Sequence, residues 1–357
     1  MKKLLLATAI AALSVSAANA APTVYGKAFL TLDMITGDTD VTYYDGTPNG
    51  TTINYDVDDR SQLNSNSSRI GLKGSEALTA NTDILYQLEY GIDIDAGDRF
   101  VDADGGGSME KSDQFYSRDT YLGLKNAQYG TLLAGRLTAI DDYVNFANVT
   151  QGGVLGGDAV LASFDAPRTN NTFNYFSPNI NGMQFMAMYA MDEDNGTDTL
   201  GRDAFGVGGK YEAGPMNVGA TYIQAGDDLK VARVSGNYAI SPVVTLGALY
   251  QNTDFDSDDN ENAFTISGEM ATATPWTAYA QGDFVNNVGG ADDAEAFRAV
   301  VGGKYAFNAA TTGHLYGAYL SAEANTTDKT QILYDNVDVR SVESDGFGIG
   351  GGIEYKF

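Results

Sequence analysis

The 357-residue chain contains no cysteine, one histidine, one tryptophan and only seven prolines. Without cysteine there are no disulfides and no thiol nucleophile. Cations are scarce as well, 21 Lys and Arg against 47 Asp and Glu, for a net charge of -26. That balance leaves no basic face to meet phosphates and excludes nucleic acid as a partner. Beyond the first twenty residues there is no apolar run near the ~20 residues that a spanning helix needs.

What is abundant is glycine (42), tyrosine (22) and phenylalanine (16). The first twenty residues, "MKKLLLATAIAALSVSAANA", combine Lys2 and Lys3, an apolar stretch and a small-x-small ending at Ala18-Asn19-Ala20. This is the pattern of a secretory signal peptide, with cleavage expected after Ala20, so residues 1–20 are a leader and residues 21–357 the single mature domain. An exported, acidic chain rich in glycine and tyrosine, without apolar helices, reads as all-β.

Two-residue alternation recurs along the whole chain. In "ILYQLEYGIDI", Ile84, Tyr86, Leu88, Tyr90, Ile92 and Ile94 share one face, and Leu85, Gln87, Glu89, Gly91 and Asp93 the other. About sixteen stretches of roughly ten residues have this form, close to the length of a tilted membrane-spanning strand. They begin near Val24, Ser68, Thr82, Arg118, Thr131, Thr169, Met183, Asp203, Met216, Leu229, Val243, Asn262, Trp276, Glu295, Thr312 and Gly346. Between them, short turns such as "EAGP", "ISP" and "TATP" alternate with long loops such as Gly37 to Asn66, Gly97 to Ser117 and Asp141 to Pro167. Short turns at one end and long loops at the other are the plan of an outer-membrane antiparallel β-barrel. Closure is required because hydrocarbon offers no partner to an open sheet edge. A soluble pair of sandwiches would bury its apolar faces against each other and would not need that alternation of connections.

Several motifs have plain readings. "GFGIGGG" matches a dinucleotide fingerprint at Gly346, Gly348 and Gly351, but the chain ends at Phe357, with no room for the helix and acid that follow such a site. "DFDSDDNEN" lacks the glycine and the final glutamate of a calcium loop and reads as a solvated acidic loop. His314 follows the short turn "NAAT", away from the long loops, and reads as structural; no catalytic constellation is found, and no enzyme activity or cofactor is expected. The acidic loops suit only loose bridging by divalent cations to lipopolysaccharide phosphates.

The loop Asp141 to Pro167 is the exception among the long loops. It carries little charge and holds Val144, Phe146, Val149, Val154, Leu155, Val160, Leu161 and Phe164. Such apolar surface belongs against a wall, and the available wall is the barrel interior. Folded inside, the loop would narrow the pore and bring Asp158, with Asp141, Asp142 and Asp165, toward the opposite side. Alternation places Lys27, Arg69, Arg118, Arg136 and Arg168 on the inward face, where a cation costs little. Cations on one wall and carboxylates on the loop would sieve solutes by size and charge.

At these residues the chain resembles the general diffusion porins of Gram-negative bacteria. The likeness spans the mature chain and is carried by "VYGKAFLTLD", "SSRIGLKG", "SRDTYLGLKNAQYGTLLAGR", "APRTNNTFNYFSPNINGMQF" and the terminal "GIEYKF". It implies a sixteen-stranded homotrimeric pore for small hydrophilic solutes, with the third long loop as its constriction. By position Arg69, Arg118, Arg136 and Arg168 match the family's basic ladder, Lys27 a first-strand lysine, and Asp158 the loop tip, although the family's acidic "PEF" is "GVL" here at Gly153 to Leu155. The resemblance further implies that Tyr355 and Phe357 form the terminal signal read by the barrel assembly machinery, and that lipid and lipopolysaccharide of the outer membrane surround the barrel. A pore specific for sugars and a barrel whose loops act as an adhesin are the neighbouring readings.

Overall fold

Alternation of the kind just described, repeated in antiparallel neighbours, closes on itself. The structure is a computed structural model that describes residues 22–43, 50–95, 99–102, 109–112, 114–152, 155, 157, 159–191, 203–257, 259–325 and 339–357. The leader and its cleavage site, and Asp158, lie outside the described residues.

Sixteen barrel strands follow in chain order. They are β1 (Thr23–Tyr43), β2 in an upper segment (Thr51–Ser65) and a lower one (Arg69–Thr79), β3 (Thr82–Ile92), β4 (Phe115–Asn126), β5 (Gly130–Thr138) and β6 (Arg168–Phe176). Next come β7 (Met183–Ala190), β8 (Ala204–Ala213), β9 (Met216–Ala225), β10 (Leu229–Ser241), β11 (Val244–Asp254) and β12 (Glu261–Ala271). The last are β13 (Trp276–Asn286), β14 (Ala294–Ala306), β15 (Thr311–Asn325) and β16 (Val339–Lys356). Each strand pairs antiparallel with its predecessor, and β1 pairs with β16 to close the ring. The seam is finished by the chain end: Gly26 N–H donates to Phe357 O at 2.9 Å and Phe357 N–H to Gly26 O at 3.1 Å.

The expected strand positions hold within a few residues, with two corrections. Most of the expected loop from Gly37 to Asn66 is strand: β1 continues to Tyr43 and pairs with the upper segment of β2, and β16 starts at Val339 rather than near Gly346. At 21 residues β1 is about twice the ~9–11 that span a bilayer, so its upper half stands beyond the membrane. The two segments of β2 are joined across a kink at Ser67 (φ 52°), where the buried Ser68 hydroxyl accepts from Phe29 N–H at 3.0 Å and so replaces a ladder bond. A separate two-stranded hairpin, Arg99–Asp102 with Met109–Ser112, lies within the expected second long loop.

The outer face shows where the bilayer ends. Tyr250, Phe264, Phe284 and Phe297 stand side by side on β11 to β14, all exposed. One step of alternation higher, the outward row is polar throughout: Asn252, Asn262, Asn286, Glu295, Glu323, Glu343 and Asp40. At the other edge Trp276, Tyr305 and Phe307 form edge-to-face contacts at 5.1 and 4.8 Å. Two aromatic girdles around an apolar band are what a membrane barrel requires.

Candidate functional site

The loop between β5 and β6 runs inside the barrel. It leaves β5 through a short 3-10 turn, Ile140–Val144, whose Ile140 and Val144 are fully buried. They pack against inward side chains of β5 to β10, among them Leu137, Met186, Met188, Ile223 and Val231. Farther along, Ala147 and Val160 meet Leu249 of β11, and Val149 and Leu155 meet Tyr279, Val300 and Tyr316 of β13 to β15. Glycines on the wall make this contact possible. A Cβ on Gly219 would stand 2.6 Å from Val144 Cγ1, and one on Gly247 would stand 3.0 Å from Ala147 Cα.

Burial of apolar groups holds the loop inside but does not fix its register; polar bonds do. Phe146 N–H donates to Ser235 Oγ at 3.0 Å, and Val149 N–H to Gln281 Oε1 at 2.9 Å. Ser163 N–H donates to Glu261 Oε1 at 3.0 Å, and the Ser163 hydroxyl donates to the same carboxylate. Arg298 donates to Ala159 O and pairs with Asp283 at 2.9 Å.

The uncovered wall, from β2 to β4, carries the arginines. Glu89 on β3 accepts from Arg118 Nε at 2.7 Å and from the Tyr25 hydroxyl at 3.0 Å, and Arg69 Nε is 3.6 Å away. The β3–β4 register shifts between Leu88 and Tyr90, a bulge that sets both Arg118 and Asp119 opposite Glu89. Asp119 in turn accepts from Arg168 Nε and Thr138 Oγ1, both at 2.8 Å. Arg69, Arg118 and Arg168 therefore come together as expected, but each is paired with a wall carboxylate. Glu89 was already on the inward face of its alternation; Asp119 was hidden by the bulge.

The other expected residues divide. Lys27 is buried low on β1, 3.8 Å from Glu354 on β16. Arg136 does not share the inward face. It pairs in register with Thr120, and that row continues through Leu88, next to Leu122 and Leu124, whose side chains point outward at 57% and 44% exposure. A parity count that starts from Leu137, which is apolar yet inward, assigns Arg136 to the wrong side. Its Nη1 donates to Asn170 Oδ1 at 2.7 Å, and its Nε and Thr120 Oγ1 are buried without a partner among the described residues.

Among the described loop acids, Asp142 alone keeps an exposed side chain. Desolvation within the lumen, then the charges of Asp141 and Asp165, push its pKa up to about 6. Asp141 is fully buried and, with Asp165, is turned onto Arg233 of β10, at 3.3 and 2.7 Å. Sequence reasoning missed Arg233, because in "LKVARV" it alternates with the apolar Leu229 and Val231. His314 faces inward on β15, its ring 4.7 Å from that of Phe29, with no hydroxyl or acid bonded to it among the described residues. Tyr355 and Phe357 project outward with stacked rings, and the Phe357 ring covers Gly26.

A closed barrel with an apolar belt, a loop folded into its lumen and a charged inner wall has the form of a channel. The sequence pattern of the family described as Gram-negative porin matches residues 7–351. An outer membrane porin protein of Bordetella pertussis is 26% identical over 240 residues, 63% of this chain and 60% of that protein, so the alignment spans under two thirds of its length. Among solved structures, an anion-selective porin from Comamonas acidovorans superposes with a TM-score of 0.64 at 19% identity, covering 95% of this chain and all of that one. OmpT of Vibrio cholerae in its trimer form gives 0.63 at 17% identity, covering 95% of this chain and 100% of that one.

Proposed function

The chain belongs to the Gram-negative porin family, integral β-barrels of the outer membrane, and on that premise we propose that small hydrophilic solutes and ions diffuse passively through its lumen, past a gap between the folded-in loop and the arginine wall. The observation that carries this reading is the loop itself, bonded to the inner wall at successive points from Phe146 to Ser163 while β2 to β4 stay uncovered. Arg69, Arg118 and Arg168 with Glu89 and Asp119 form one side of the gap, and Asp142 the loop side. Fixed charges of both signs facing a narrow aqueous path favour or hinder ions by sign while neutral solutes are sorted by size. Purified protein in planar bilayers should give uniform, mostly open conductance steps; folded protein that never conducts would refute the reading.

The pore works as a homotrimer in this proposal, and Arg136 supports it. An arginine on the outward face costs up to about 2–4 kcal/mol at the bilayer midplane and less toward the interface. A cation held on an outward face beside Leu122 and Leu124 is better placed against a neighbouring protomer than against lipid. The OmpT trimer gives the same assembly in a protein of this fold. Tyr355 and Phe357 serve as the assembly signal, because the terminal residue also bonds the closing seam. Deleting Phe357 should cut the yield of trimers far more than it changes the conductance of those that form.

A further inference from the structure

We infer that Arg233 is the positioning residue that sets the bore of the channel, by clamping both stems of the inner loop to the barrel wall. The inference rests on the lumen being the conducting path. Arg233 lies on β10 between Thr221 of β9 and Gln251 of β11, facing inward, and its side chain is 0% exposed. One guanidinium reaches two segments that are far apart along the loop. Nη2 lies 2.7 Å from Asp165 Oδ1 on the returning stem and 3.3 Å from Asp141 Oδ2 on the outgoing stem. Nε donates to Gln251 Oε1 at 2.7 Å, and Gln251 Nε2 donates to Phe164 O at 2.7 Å. Asp141 Oδ2 also accepts from Ala166 N–H at 2.8 Å, which closes the circuit from one stem to the other.

Among the described residues no other polar anchor of the loop does this. Ser235, Gln281, Glu261 and Arg298 each hold one point along the loop. Asn237 Nδ2 donates to Phe146 O at 3.0 Å and Gly289 N–H to Ser163 Oγ at 3.1 Å, at points already held, and the apolar contact between the anchors is non-directional. A buried ion pair adds little net stability over an apolar side chain of the same size, but its hydrogen-bond geometry admits one arrangement. Arg233 therefore acts on where the loop sits more than on whether the barrel folds. Its loss would also leave Asp141 and Asp165 without their cation beneath the loop, a further reason for the two stems to shift.

The test compares single-channel recordings of the unmodified protein, Arg233→Met and Arg233→Lys, each with and without a tether made by Ala147→Cys and Gly247→Cys. The chain has no cysteine of its own. A Cβ at position 247 would stand 3.4 Å from Ala147 Cβ, close to the separation that a disulfide bridges. Arg233→Met should replace one conductance level by several, with a mean raised by roughly 1.5-fold or more, since conductance follows the constriction. Arg233→Lys, which keeps the charge but loses the fork, should fall between. Oxidising the tether should restore a single level, and dithiothreitol should release it. Unchanged levels in both variants, or broadened levels that the tether does not restore, would overturn the inference. If Arg233→Met yields no folded trimer, the Lys variant and Asp165→Asn decide by the same tether criterion. Absence of conductance from the unmodified trimer would overturn the channel reading and this inference with it.

Discussion

The two sides of the lumen solve different problems with the same strand geometry. From β7 to β15 the inner wall offers apolar residues and glycines to the loop that lies on it: Met186, Met188, Ile223, Val231 and Leu249 face inward, and Gly219 and Gly247 admit the loop backbone. Charges there are buried and matched to the loop, as at Arg233, Glu261 and Arg298. On the side of β2 to β4 and the start of β6 the wall charges are matched to each other rather than to the loop, Glu89 with Arg69 and Arg118, Asp119 with Arg168. The covered wall positions, and the uncovered wall selects. A charge has one meaning on the first and another on the second.

That division can be broken from either side. The largest effect is expected on the covered wall. Gly219→Leu would drive a side chain into Val144, so the loop must shift or the barrel strain, at about 1–3 kcal/mol for overpacking. Trimers should dissociate at lower temperature and conduct unevenly; an unaltered conductance would mean the loop does not depend on that seat. On the uncovered wall Arg118→Ala should move the reversal potential toward cations and also cost stability, because the buried Glu89 loses the nearer of its two cations. One unit charge at ~4 Å is worth about 1 kcal/mol in water, so the permeability ratio should change by no more than about fivefold. An unmoved reversal potential would place Arg118 off the path.

Arg136 tests the comparison from outside the barrel. Arg136→Leu should leave the reversal potential unchanged, against the expectation from sequence, and weaken the trimer by about 1.5–3 kcal/mol if a charged hydrogen bond across the interface is lost. A shift in selectivity with a normal trimer would return Arg136 to the pore. The smallest effect belongs to Asp142. Its carboxyl is held up at about 6, so it is charged above that pH and neutral below it. Cation preference should fall as pH drops through 6, and Asp142→Asn should flatten that part of the curve. The sign for stability is the opposite of an ordinary paired carboxylate. The raised pKa favours the docked loop at low pH, and that contribution is lost as pH rises through about 6.

The strands, their order and the short-turn, long-loop alternation were legible because a period of two needs only neighbouring residues. The inward loop was legible too, from apolar residues that had no business in water, Val144 and Phe146 among them. Side assignment was less secure. Parity reading assumes that the apolar face is the outer one, and this holds for "FGIGGGIEYKF" and for "ILYQLEYGIDI". It fails at Leu137 and Arg136, where the inner face is apolar because the loop covers it. The same failure concealed Arg233. Asp141 and Asp165, expected at the gap, belong beneath the loop for a related reason: a carboxylate in an apolar loop segment goes where a buried cation awaits it, and that cation is some seventy to ninety residues away in the chain.

The sequence by itself determined a closed membrane barrel with a loop inside, since hydrocarbon leaves an alternating chain no other way to satisfy its backbone. It also determined the closing strand, which ends at Phe357 on the girdle. Only the tertiary structure decided which charges face water, which hold the loop and which face outward. Those assignments depend on register and bulges between strands distant in sequence, and a shift of one residue turns every side chain to the other face.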